Sequence, residues 1–158
     1  MSTVSRAATT LLAAALALGL AGVAASGPGA GKQRVQIDTR YPGSTFVLTA
    51  LGAGTIKRDS GRQACDREPS QRQVLRDGET GWRWECPAWT FAGKHGKLVL
   101  RSTYTWMEVG GPYNVATGTW KVVSGTGQYA GLAGGGRSAR VGTHRMERVR
   151  YQGFLVRS

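Results

Sequence analysis

The sequence predicts an all-β protein: a single antiparallel up-and-down barrel of eight strands, with a two-sheet sandwich as the alternative. Three observations carry this expectation. Beyond the N-terminal segment no apolar run repeats with a 3.6-residue period; short β-branched and aromatic runs recur instead, separated by Gly, Pro, Asn and Asp. Two of those runs, at 97–109 and 113–123, are long for a chain of 158 residues and suggest coiled hairpins. Many strands with short links are best accommodated by closure, because an open sheet would leave edge strands exposed.

The first 25 residues belong to targeting rather than to the fold. Arg6 supplies a positive start, residues 11–25 are uncharged and apolar, and Val23 and Ala25 place small residues at the −3 and −1 positions of a cleavage site. The apolar run is shorter than the roughly 20 residues of a membrane-spanning helix. A cleaved signal peptide and a secreted, extracellular product are therefore expected, and no later run is apolar enough to span a bilayer. Residues 26–33 are rich in Gly and read as a flexible leader. Residues 34–158 form the barrel domain, a length that suits one core.

Within that domain the expected strands are 34–39, 45–51, 54–58, 71–76, 82–85, 89–92, 97–109, 113–123, 136–141 and 148–156. Their connectors carry turn chemistry: Tyr41-Pro42-Gly43, Gly52-Ala53-Gly54, Asp77-Gly78, Gly93 to Gly96, and Gly110-Gly111-Pro112. Asp77-Gly78 and Gly110-Gly111 suit tight hairpins. Alternation assigns the faces. Leu98, Leu100, Tyr104 and Trp106 share one parity, and Arg101, Thr103 and Thr105 fall on the other; Trp82 and Trp84 oppose Arg83 and Glu85.

Gly118-Thr119-Trp120 leads into Val123-x-Gly125-Thr126-Gly127-x-Tyr129-Ala130-Gly131-Leu132-x-Gly134-x-Gly136. This pattern resembles that of dirigent-like and allene-oxide-cyclase-like barrels, and of small exported bacterial proteins related to them. The resemblance implies an eight-stranded barrel with a short helical turn near 128–132. In it Gly125 and Gly127 permit the turn, Tyr129 and Leu132 plug one edge, and 134–136 restart a strand. It says little about activity, since related barrels include cyclases, non-catalytic stereochemical guides and proteins without a known role. The glycine run lacks the Gly-Lys-Ser/Thr ending of a phosphate loop and the spacing of a dinucleotide fingerprint.

Cys65 and Cys86 are the only cysteines, and outside the cytoplasm such a pair is expected to form a disulfide around the most polar part of the chain. The net charge is +12, and only five of 21 basic residues are lysine. Arg137, Arg140, Arg145, Arg148 and Arg150 form the densest basic cluster. They suit an anionic cell-surface polymer, unless the surplus merely reflects an Arg-, Ala- and Gly-rich composition. Nucleic acid is disfavoured as a partner by export.

Catalytic signals are sparse. His95 and His144 lie in connectors, without a second ligand at metal spacing, so no metal and no cofactor is implied. No serine sits in a Gly-x-Ser-x-Gly elbow. Glu108 shares the parity of Tyr104 and Trp106, which would aim it at the interior or its mouth as an acid or base, or pair it with an arginine at the rim. The aromatic residues Trp82, Trp84, Tyr104, Trp106 and Trp120 either fill the core or wall a cavity for a small hydrophobic or aromatic molecule. The expected function is non-enzymatic binding of such a molecule. Association with anionic polymers and a cyclase or isomerase activity are the alternatives.

Overall fold

The computed structural model describes residues 31–66, 70–76, 79–143 and 145–157. The expected signal peptide, the expected Asp77-Gly78 turn and His144 lie outside them. The described residues form nine antiparallel strands: β1 (Lys32–Tyr41), β2 (Thr45–Leu51), β3 (Asp59–Cys65), β4 (Ser70–Arg76), β5 (Glu79–Gly93), β6 (Gly96–Gly110), β7 (Tyr113–Gly125), β8 (Leu132–Thr143) and β9 (Glu147–Arg157). One 3-10 turn, Gly127–Tyr129, links β7 to β8. The sheet order is β3-β2-β1-β9-β8-β7-β6-β5-β4, and a β3–β5 pairing closes it into a barrel-like ring.

The ring has eight positions because β3 and β4 share one. Both run along the same flank of β5, β3 beside Trp89–Gly93 and β4 beside Glu79–Glu85. Opposite the break between them, β5 loses its regular register with β6 between Cys86 and Trp89. The Cys65–Cys86 disulfide spans this joint, with its Cα atoms 6.1 Å apart. Between the cysteines lie β4, close to the run expected at 71–76, and the first part of β5; the runs expected at 82–85 and 89–92 are two pieces of β5.

Several strand bounds differ from expectation; β8, for example, begins at Leu132 and not at 136. β1 begins at Lys32, inside the expected leader, and Gln33 is buried. Residues 54–58 are not a strand. Ile56 is instead held by the Gln33 side chain, which accepts from the Ile56 amide at 2.9 Å and donates to its carbonyl at 3.3 Å. The strand lies just beyond, at Asp59–Cys65, where its backbone pairs on both sides, with β2 and β5.

Register stacks the inward-facing side chains in rows. Tyr104, Gly118, Ser138, Tyr151, Ile37 and Leu48 are successive cross-strand partners around the ring. The next row is Trp106, Ala116, Arg140, Val149, Thr39 and Phe46. The last is Glu108, Asn114, Gly142, Glu147 and Tyr41. The interior between is packed with aromatic side chains: Phe91 meets Phe46 and Tyr151 edge-on at 5.3 and 5.6 Å, and Trp84 packs on Tyr104 at 5.6 Å. Trp120 is fully buried because β9 offers no side chain beneath it; a Cβ on Gly153 would sit 2.7 Å from the Trp120 ring.

The two ends of the ring differ. At one end the β2–β3 connection, the β5–β6 turn and the 3-10 turn meet. Tyr129, Leu132 and Ile56 plug it, all buried. Asp59 ties the plug together. It accepts from the Tyr129 hydroxyl at 2.9 Å and from the amides of Ser60, Lys94 and His95 at 2.8, 2.8 and 3.2 Å. Gly93 makes room for it, since a Cβ there would lie 2.2 Å from the carboxylate. The other end carries the hairpins β1–β2, β4–β5, β6–β7 and β8–β9, and it is open.

Candidate functional site

The open end is built from the last two inward rows. Strands β6, β7, β8 and β9 deliver Trp106 and Glu108, Asn114, Arg140, and Glu147 respectively, because each has inward parity. With Tyr41, Tyr113 and Thr143 they enclose a cavity of about 320 Å³. Trp106 forms its aromatic wall and is backed by its cross-strand partner Trp82, stacked at 6.3 Å with the rings 21° from parallel.

Its polar side has one ion pair and two unmatched groups. Arg140 bridges Glu147 through its terminal nitrogen at 2.8 Å, both side chains being three-quarters buried. The Nε of Arg140 and the Oδ1 of Asn114 are buried and make no hydrogen bond within the protein. Burial pushes the Glu147 carboxyl above its ordinary pKa, and Arg140 offsets only part of that rise. Beneath this layer the hydroxyls of Tyr104 and Tyr151 hydrogen-bond to each other. Burial drives the Tyr104 phenol up to about 12 and that of Tyr151 well above its ordinary value, so both are protonated donors at neutral pH.

The five aromatic candidates separate on this geometry. Trp106 lines the mouth, and Trp82 supports it from behind. Trp84 packs against the core, while Tyr104 and Trp120 are buried within it. Glu108 stands on the rim of the same cavity, exposed to solvent. Glu147 is the enclosed carboxylate, and the sequence reading passed over it. Its signal was available: it shares parity with Val149, Tyr151 and Leu155 on β9, all buried.

The arginine cluster also divides. Arg137, Arg148 and Arg150 stand on the outer face of β8 and β9, and Arg145 is exposed in the turn between them. Arg140 points inward to the mouth. A groove of about 710 Å³ crosses β2, β1, β9 and β8, lined by Arg40, Arg148 and Arg150, where Asp38 meets Arg150 at 2.7 Å. Arg40, absent from the sequence cluster, lies directly opposite Arg148 across the β1–β9 ladder.

Among the described residues no group of His, Cys, Asp and Glu is placed to hold a metal ion, and no helix is long and apolar enough to cross a membrane. No family model matches this chain, and no curated protein or solved structure is similar to it.

Proposed function

We propose that this protein binds a small planar aromatic molecule at the open end of its ring, without transforming it. One observation carries the reading: Asn114 and Arg140, which each hold one buried polar atom without a protein partner, are among the residues lining the cavity that Trp106 walls. A buried polar group lacking a partner costs about 1–3 kcal/mol, so a ligand that completes it gains correspondingly. The volume falls in the range of small-molecule sites, roughly 300–1,000 Å³. A ring stacked on Trp106, donating to Asn114 and accepting from Arg140, satisfies the whole lining; a phenol bearing a carbonyl or carboxylate has this chemistry. The resemblance of 118–136 to dirigent-like barrels, which include non-catalytic stereochemical guides, is compatible with binding without catalysis.

The test is a calorimetric titration with a panel of phenolic acids, run beside tryptophan fluorescence. Saturable binding is expected, with Trp106→Ala removing the heat while thermal unfolding still shows a folded ring. Heats that are unchanged in Trp106→Ala, or absent for the whole panel, would defeat the proposal.

A further inference from the structure

We propose that the hairpin end docks on an anionic lipid bilayer, through the outer side of a rim whose Tyr41 and Tyr113 also border the mouth. Three of its four hairpins expose apolar side chains: Tyr41 is 54 % exposed, Tyr113 56 % and Met146 65 %, with Val141 of β8 at 53 % beside them. Tyr41, Pro42, Tyr113, Val141 and Met146 are one surface, since they line a single cavity of about 370 Å³ on the outside of the rim. Between β4 and β5 the sequence has only Asp77 and Gly78, neither of them apolar.

Charge identifies the occupant. Arg40 and Arg148 line the same surface, and Arg145 adjoins it in the β8–β9 turn. Arg40 and Arg148 oppose one another across two strands, an arrangement of like charges that is unfavourable in isolation. The acidic group within the patch, Glu147, is already paired with Arg140, and Glu108 stands on the inner side of the rim. An apolar surface bordered by arginines that have no acidic partner among the described residues suits a partner with anionic head groups above apolar chains. A bilayer of acidic phospholipid meets both demands, with tyrosine suited to the boundary between them. A second copy does not, because a two-fold contact would set the three arginines against themselves.

The experiment is co-sedimentation of the full chain with vesicles of phosphatidylcholine, alone or with one-third phosphatidylglycerol. The N-terminal apolar segment is common to all variants, so differences among them read the patch. Partition onto anionic vesicles should fall about fivefold for each of Arg145→Gln and Arg148→Gln, and about tenfold for Tyr113→Ser with Met146→Ser. An environment-sensitive dye at Met146→Cys should brighten on binding, whereas one at Ala53→Cys, at the opposite end, should not. Equal partition of wild type and Tyr113→Ser/Met146→Ser would overturn the proposal. So would brightening at position 53 alone, capture of soluble polyphosphate with no partition onto vesicles, or dimerisation lost with Met146→Ser in a chain that ignores vesicles. Phenolic binding measured without vesicles is unaffected by any of these results.

Discussion

The two ends of the ring contain similar residue types under opposite accounting. At the sealed end the carboxylate of Asp59 accepts four hydrogen bonds, and the amide of Gln33 bonds both polar backbone groups of Ile56. At the open end Arg140 and Asn114 are also buried, yet each retains an unmatched atom. Apolar groups follow the same division: Tyr129, Ile56 and Leu132 are covered, whereas Tyr41, Tyr113 and Met146 are not. The plug residues Asp59 and Gln33 are thus fully engaged in holding the fold together, while the mouth keeps two unmatched atoms, as the wall between does at Gln63, Trp89, Ser102 and Ser138.

This contrast can be broken most forcefully at Asp59. Asp59→Ala strands a buried tyrosine hydroxyl and three amides, and should cost about 3–4 kcal/mol in urea unfolding. Affinity for a mouth ligand should be unchanged, because the two sites are at opposite ends of the ring. A loss under 1 kcal/mol would mean that the plug contributes little. Next in size is the disulfide, at the joint where β3 gives way to β4. Replacing Cys65 and Cys86 by Ser should cost about 3 kcal/mol by loop-closure reasoning. Protease should then cut first between them, since β4 has a strand partner on one side only.

Acid separates the ends by sign. Burial raises the pKa of Asp59, but hydrogen bonds from Tyr129 and from the amides of Ser60, His95 and Lys94 outweigh it and hold the carboxyl below its ordinary 3.8. Stability from a depressed carboxylate is present above the unfolded value and lost as pH falls through the folded one, here below about 4. Glu147 behaves in reverse. Its folded pKa lies above the ordinary 4.5, so its ionisation opposes folding, and protonation on mild acidification relieves the penalty. The stability profile should therefore rise slightly as pH falls towards the ordinary glutamate value of 4.5, then drop below the ordinary aspartate value of 3.8. Asp59→Asn should flatten the drop and Glu147→Gln the rise; the same limb lost in both would show that the assignments are exchanged.

What was legible in the sequence follows from where packing speaks through alternation. The even-numbered residues of β6 and the odd ones of β9 display their inward face directly, and these two strands and β7 were expected nearly whole, whereas only the middle half of β8 was. β3 was not: Asp-Ser-Gly-Arg-Gln-Ala-Cys has little strand propensity, and its pairing partners on β2 and β5 create it. Ile56 attracted the strand to 54–58, although it is a plug residue held by a distant glutamine. At the site, Trp106 was legible as an inward aromatic, whereas Glu108 stands exposed on the rim instead of aiming into the interior. Arg140 and Glu147 were obscured because charge density was read along the chain, whereas alternation places Arg140 on the opposite face from its neighbours Ala139 and Val141. Arg40 was missed for a related reason: it joins Arg148 only through a ladder between the first strand and the last.

The smallest expected effect on stability is the sharpest test of the contrast. Asn114 is 9 % exposed and its carbonyl oxygen has no partner in the protein. Removing an unsatisfied polar group does not incur the penalty that stranding a satisfied one does. Asn114→Val should thus leave unfolding free energy within about 0.5 kcal/mol of wild type, and a slight gain is consistent with the argument. The same change should weaken a phenolic ligand about tenfold, the equivalent of roughly 1.4 kcal/mol for one lost hydrogen bond. A residue kept at no benefit to the fold, but needed for binding, is the signature of a functional end. If Asn114→Val instead unfolds as readily as Asp59→Ala, the amide is serving the fold, and the two ends of the ring obey one rule after all.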